Sequence, residues 1–172
     1  NIHFSGAYMN SLYPLTRALS LICIMVMSMC VLSSHAIANC GFIKDGDARA
    51  FCRAQAQKSI GQCGFIKDQD QRAYCKAVVG QNKGQCGFIR HSDLRARCRA
   101  ETGENSGQCG FIKDHDQRYL CRAKAQKSSG QCGLIRNSDL KALCRAVVSH
   151  NSGHCGLIRN LDLKSQCKSE AR

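Results

Sequence analysis

Cysteines recur at a fixed interval from residue 40 to the end of this 172-residue chain, and this spacing constrains the fold more than any other feature. The first cysteine of each unit stands 23 residues after that of the preceding unit, at Cys40, Cys63, Cys86, Cys109, Cys132 and Cys155. A second cysteine follows each of these by 12 residues, at Cys52, Cys75, Cys98, Cys121, Cys144 and Cys167. Six copies in register, without an insertion or deletion, indicate a tandem array in which each unit packs mainly against its neighbours.

Each unit reads C-G-[FL]-I-[KR]-x-x-D-x-[RK]-x-x-C-[KR], followed by a variable polar stretch. After Asp70, which we assign as a helix N-cap, the apolar and cysteine positions fall at helical spacing, at Tyr74, Cys75, Val78 and Val79. The stretch that opens each unit is shorter, and its pattern fits either a second short helix or a strand. We favour an all-α solenoid of six disulfide-stapled helical hairpins, with a strand-plus-helix solenoid as the alternative. Such a unit resembles, in architecture, the helical-hairpin repeats of some secreted cysteine-rich proteins.

A single unit has too few large apolar side chains to fold alone. The second unit offers five, Phe65, Ile66, Tyr74, Val78 and Val79, and burying one such side chain stabilises by about 1.5–3 kcal/mol. Ordering each of the 23 residues costs roughly 1.5 kcal/mol, so burial within one unit does not suffice. Cysteine makes up about 8% of the chain, near the range of disulfide scaffolds. Stacking between units and covalent bridges therefore have to supply the rest.

The twelve cysteines of the array can pair in two regular ways. Pairing the two cysteines of one unit closes a loop of about 13 residues, which stabilises by roughly 3 kcal/mol per bridge. Pairing each second cysteine with the first of the next unit, as in Cys52–Cys63, would leave Cys40 and Cys167 without partners. The ends of the array thus favour pairing within the unit, although sequence alone leaves both arrangements open.

The region before the array has the layout of a secretory signal peptide. Arg17 precedes an uncharged, mostly apolar run over residues 18–32, and the small residues Ala36 and Ala38 stand at the expected cleavage positions. We expect residues 1–38 to comprise upstream sequence and the signal, with residues 39–172 as the exported array. Export to the periplasm or the cell exterior, of a bacterial cell in our interpretation, allows the disulfides to form. A retained membrane anchor and lipidation of Cys40 are the alternatives.

Three positions in every unit carry Lys or Arg, and the chain has a formal net charge of +13. The first row follows the invariant Ile, at Lys44, Lys67, Arg90, Lys113, Arg136 and Arg159. The second row lies two residues after the recurring Asp, at Arg49, Arg72, Arg95, Arg118, Lys141 and Lys164. The third row directly follows the second cysteine, at Arg53, Lys76, Arg99, Arg122, Arg145 and Lys168. The last two rows share a helix face and could form a ladder of positive charge for an extended polyanion.

A solvated face, with some cations paired to the recurring Asp, is the alternative interpretation of these rows. We expect that Asp to cap the helix in each unit, at Asp47, Asp70, Asp93, Asp116, Asp139 and Asp162. The repeats contain no C-x-x-C pair, and His150 and His154 form the single H-x-x-x-H, so we expect neither a metal site nor a cofactor. No catalytic constellation recurs, and we expect no enzymatic activity.

The function that the sequence favours is that of a secreted, non-enzymatic binding or structural module. Its partner would be an acidic polysaccharide, lipopolysaccharide, extracellular DNA bound without sequence preference, or a protein. A secreted effector, antimicrobial or enzyme-inhibiting, is the alternative. Sequence-specific nucleic-acid recognition is not expected because aromatic residues are only 6% of the chain. After signal cleavage we expect no membrane span.

Overall fold

The structure, a computed structural model, describes residues 40–103 and 105–171. The predicted signal sequence and its cleavage site lie outside these residues and stay predictions. Each unit contributes one long α-helix, and the six are α1 Gly46–Gln57, α2 Gln69–Val79, α3 Ser92–Gly103, α4 His115–Gln126, α5 Ser138–Ser149 and α6 Leu161–Glu170. No helix in this part of the chain has both the length and the apolar character needed to cross a membrane.

Short helices precede the long ones in the second to sixth units. The first is an α-helical turn at Ile60–Cys63, and four 3₁₀ helices follow at Lys83–Phe88, Ser106–Phe111, Ser129–Leu134 and Ser152–Leu157. Among the described residues there is no β-strand. The prediction of an all-α array of helical hairpins is confirmed, and the strand-plus-helix alternative is wrong.

Six disulfides each lie within one unit, and five of them join a short helix to the long helix that follows it. The pairs are Cys40–Cys52, Cys63–Cys75, Cys86–Cys98, Cys109–Cys121, Cys132–Cys144 and Cys155–Cys167. The sulfur atoms pack with the invariant isoleucine of each unit, which is at most 2% exposed, and with small alanines of the long helix such as Ala54 and Ala77. Cross-linked sulfur and small side chains therefore form much of the core, in place of large apolar groups. Disulfides at this density form and persist in an oxidising compartment.

The residue that caps each long helix lies two positions before the recurring Asp, so our N-cap assignment is wrong. Asp68 is the N-cap of α2, and its carboxylate accepts the backbone N–H of Gln71 at 2.7 Å. The equivalent position holds Asp, His or Asn in the other units, and Asn137 caps α5 in the same way. The sequence D-x-D places two acceptors at the helix start, and only one of them can occupy the cap.

The recurring Asp instead joins each unit to the next. Asp70 accepts two backbone N–H groups of the following unit, from Arg90 at 3.0 Å and from His91 at 2.8 Å. Asp47, Asp93, Asp116 and Asp139 accept the equivalent pair in their own following units, at 2.8–3.3 Å. The acceptors of these hydrogen-bonded Asp residues are thus occupied by backbone donors, a different role from the Lys and Arg pairing that we considered.

The sixth unit packs against the first, so the solenoid closes into a ring. Helices α1 and α6 are in contact, and Asp162 of the last unit accepts the backbone N–H of Lys44 in the first at 3.1 Å. The hydroxyl of Ser169 also lies 3.2 Å from the sulfur of Cys52. The first unit thus occupies the place that a seventh unit would take in an open array. The rows of equivalent side chains consequently run around a circle.

The hydrogen bonds between units predict a loss of stability in acid. Two backbone N–H donors lower the pKa of Asp47, Asp70 and Asp139 below the ordinary value, and the pKa of Asp116 to about 2. The unfolded chain has Asp pKa values of about 3.9. The stabilisation is therefore present above about pH 4 and is lost as the pH falls through the folded-state values.

We expect the thermal midpoint of the oxidised protein, followed by circular dichroism, to fall steadily between pH 5 and pH 2. Asp116→Asn should lower the midpoint at pH 5 and reduce its dependence on pH. Asp114→Asn is the matched control because Asn caps α5 at the equivalent position, and this variant should keep the wild-type dependence. A midpoint that is constant from pH 5 to pH 2 would contradict the role of these carboxylates.

Candidate functional site

The first row of cations lies in the loop that leads from the buried isoleucine into the long helix. All six members, Lys44, Lys67, Arg90, Lys113, Arg136 and Arg159, are exposed. The backbone N–H of each is held by the recurring Asp of the preceding unit. The loop is therefore fixed at its base while the charged side chain is accessible to solvent.

The second row contributes to the structure of the same loop. The guanidinium of Arg49 donates to the carbonyl oxygens of Ile43 and Lys44, both at 2.9 Å. Arg118 makes the equivalent bonds to Ile112 and Lys113, at 2.8 and 3.0 Å. All members of this row are half-buried. These arginines satisfy loop carbonyls, which leaves fewer of their donors for a ligand.

The third row lies mostly on the accessible surface. Four of its members are exposed, Arg53, Arg99, Arg145 and Lys168, and the other two, Lys76 and Arg122, are half-buried. The guanidinium of Arg122 lies over the ring of Tyr119, at 5.7 Å from the ring centroid. The structure thus separates the three predicted rows into two that present cations to solvent and one whose four arginines donate to backbone carbonyls.

A large apolar side chain is exposed at the same position of every unit, in addition to exposed Ile60 and Leu161, and sequence reasoning missed this row of six. They are the residues two positions after the first cysteine, Phe42, Phe65, Phe88, Phe111, Leu134 and Leu157, and they are 52–74% exposed. The assumption that Phe65 belongs to the core is wrong, because the neighbouring Ile66 takes the buried position. The signal available in the sequence was the Phe-Ile or Leu-Ile pair that follows C-G in every unit. Of two adjacent apolar residues at such a turn, only one can face the core.

A shallow groove lies between the first unit and the second. Its volume is about 380 Å³, and its lining comprises Gly46, Arg49, Ala50, Arg53, Gln62 and Phe65. Phe65 thus stands beside the second-row and third-row cations of the preceding unit. We call this arrangement of one exposed Phe or Leu with those two cations the inter-unit groove. In the sequence, the Phe or Leu and the two cations recur at the other five junctions, although the other lining residues differ.

The interior of the ring holds a polar network that breaks the repeat. Arg97 donates to Glu101 at 2.9 Å, and the hydroxyl of Tyr74 donates to the same carboxylate. Lys124 pairs with Glu170 at 3.1 Å, across non-adjacent units. These groups face the interior from the positions just before, and three residues after, the second cysteine. Phe51, Leu120, Leu143, Val78 and Val147 occupy the same positions in other units.

The opposite charges of this network neutralise one another. Burial would raise the pKa of Glu101, but the positive charges of Arg97 and Lys124 outweigh it and hold that pKa below its ordinary value. Burial and the neighbouring Glu101 carboxylate raise the pKa of Tyr74 well above its usual range. Both Glu101 and Glu170 are paired with cations, which supports a structural role inside the ring. A position-by-position comparison of the units would have revealed these substitutions.

The candidate site therefore comprises the exposed outer cations and the six apolar side chains among them. In residues 40–103 and 105–171, no three His, Cys, Asp or Glu side chains are grouped as metal ligands. No protein-family model, curated protein or solved structure matches the chain.

Proposed function

We propose that the protein is an exported, non-enzymatic module that binds anionic polymers through its exposed first and third basic rows. The observation that carries this proposal is the exposure of all six first-row cations on loops whose backbone is fixed by the preceding unit. Fixed loops reduce the ordering that binding requires, because only the side chain has to be immobilised.

The distribution of charge supports the same proposal. All 12 acidic residues and all but one of the 25 Lys and Arg residues lie in the array. The recurring Asp carboxylates are turned toward backbone donors at the junctions, whereas the first-row cations are exposed. In a closed ring the first row has no terminal member, so its six exposed cations recur all the way round the molecule. Such an arrangement of positive charge attracts anions and raises their rate of association.

The proposal is tested by measuring heparin and polyphosphate affinity as a function of salt concentration. Each cation that contacts the polymer contributes about one unit to the slope of log affinity against log salt. The variant Lys44→Gln/Lys67→Gln, which alters two neighbouring first-row loops, should therefore reduce that slope by about 2.

The matched control is Lys58→Gln/Lys83→Gln, because both lysines are exposed, lie outside the three rows and remove the same net charge. We expect this control to keep most of the wild-type slope. Equal weakening by the two double variants would show that net charge alone attracts the polymer. Absence of wild-type binding at 20 mM salt would overturn the proposed function.

A further inference from the structure

The six exposed Phe and Leu side chains are unusual for a chain with so few large apolar residues. Each projects from a rigid hairpin whose neighbouring isoleucine is buried, so local packing can bury the isoleucine and leave the Phe or Leu outside. Exposed apolar surface that recurs beside charged groups is typical of interaction sites. A ligand that matches this surface has to offer both apolar contact and negative charge.

The position of the groove on the wall of the ring follows from helix geometry. Residues of a helix are rotated by about 100° relative to their neighbours, so positions two apart lie on nearly opposite faces. The residue before the second cysteine, such as Phe51 or Tyr74, faces the interior. Arg49 and Arg53 stand two residues before and two residues after Phe51, and they consequently lie on the outer wall. Phe65 lies beside them and is also on that wall.

The occupant of these grooves needs apolar contact more than aromatic stacking. Four units carry Phe, but Leu134 and Leu157 occupy the same position and are also exposed. A nucleic-acid base gains its affinity from stacking on an aromatic ring, which Leu cannot provide. The C–H groups on one face of a sugar ring can pack against the apolar surface of either Phe or Leu.

The closed ring distinguishes a flexible polymer from a flat membrane. The six exposed Phe and Leu side chains recur around the closed ring and face different directions, so a planar bilayer could contact few of them at once. A flexible chain can pass from one groove to the next around the wall and engage several together, which raises the effective affinity. The cations beside each apolar side chain would pair with the acidic groups of such a chain.

Resting on the proposed function, we propose that each inter-unit groove is a subsite for one sugar ring of an acidic polysaccharide. The apolar face of the sugar packs on the exposed Phe or Leu. Its carboxylate or sulfate pairs with the exposed third-row cation, such as Arg53, which lines the groove beside Phe65. Gln62 lines the first groove and can exchange hydrogen bonds with sugar hydroxyls.

The test compares the purified oxidised protein and its variants on heparin, on polygalacturonate, and on polyphosphate of matched charge, at 150 mM salt. We expect wild type to prefer the two polysaccharides over polyphosphate. Phe65→Ala/Phe88→Ala should lose about tenfold in polysaccharide affinity through the apolar contact removed, with polyphosphate binding within twofold. Phe65→Leu/Phe88→Leu should retain the polysaccharide affinity, since two units carry Leu naturally.

Controls separate this inference from the proposed function and from misfolding. Ile60→Ala removes an exposed apolar side chain that lies three residues before the second unit and does not line the groove, and it should leave polysaccharide affinity unchanged. Circular dichroism should show the wild-type helix content for every variant. Equal affinity for polyphosphate and polysaccharide, with no effect of Phe65→Ala/Phe88→Ala, would overturn the subsites and leave polyanion binding intact.

Two further outcomes also overturn the sugar subsites. Preferential binding to phosphatidylglycerol vesicles, lost in Phe65→Ala/Phe88→Ala, would assign the apolar row to a membrane surface. Preferential binding to single-stranded oligothymidylate would assign it to base stacking. Absence of binding to every polyanion at low salt would remove the proposed function itself.

Discussion

Reduction of the six disulfides is expected to unfold the ring completely. Each bridge closes a loop of about 13 residues, which stabilises by roughly 3 kcal/mol. Six such contributions together exceed the 5–15 kcal/mol of net stability that is typical of a whole domain. The core offers little to replace them, because beside the sulfur atoms it consists largely of one isoleucine and one or two alanines per unit.

The expected result of treatment with dithiothreitol at pH 8 is loss of the helical circular dichroism signal at 222 nm. Alkylation followed by intact-mass measurement should add twelve groups if residues 1–38 have been removed, and fourteen if Cys23 and Cys30 are retained. The double variant Cys86→Ala/Cys98→Ala is the graded control, because it removes one bridge of six. We expect it to keep the fold, with its free energy of unfolding lowered by about 3 kcal/mol. A fully alkylated protein that remains helical and unfolds cooperatively would contradict this account.

Deletion of the sixth unit, residues 155–172, should cost much more stability than removing the last unit of an open array. An open array loses one interface, whereas the ring loses two, because α6 contacts both α5 and α1. The deletion also removes Glu170 and leaves Lys124 without its partner inside the ring. Loss of one partner of a buried ion pair costs about 3 kcal/mol or more.

We expect the five-unit protein to lose its monomeric folded state, observed as association in light scattering and as a broad, lowered thermal transition. The control is a circular permutant that joins residue 171 to residue 40 by a short Gly-Ser linker and opens the chain between residues 103 and 105. This permutant keeps all six disulfides and both faces of α6, so its thermal midpoint should lie within a few degrees of wild type. A stable monomer of five units, or a permutant that does not fold, would contradict ring closure.

In the first, second and fourth units the long helix begins with two acidic residues, and local capping preferences do not decide between them. The sequence D-x-D in the second unit offers both Asp68 and Asp70 as caps, and helix-capping preference alone does not separate them. The choice is made by the next unit, whose loop presents two backbone N–H groups to Asp70. The position of the cap therefore depends on a contact over about 20 residues in sequence, which single-unit reasoning omits.

The exposure of Phe65 and the interior position of the charged residues both result from tertiary packing. Within one unit, Phe65 and Ile66 are both strongly apolar, and the local pattern favours burying both. The hairpin has room for one of them at its disulfide, and the turn of the chain directs the isoleucine there. Likewise Arg97 and Glu101 are charged residues of a type that ordinarily lies on the surface. Ring closure places their helix face in the interior.

The period of 23 residues is displayed directly by the sequence, which favoured the hairpin of two helices and the pairing of cysteines at a separation of 12 but left an alternative open for each. Ring closure, the outward Phe and Leu side chains and the interior ion pairs were decided by tertiary structure. Six units close only if each turns by about 60° relative to the last. That angle results from how side chains interlock across every junction, and small differences in it accumulate along the array. A repeat motif records which residues recur, but it does not record the sum of those rotations.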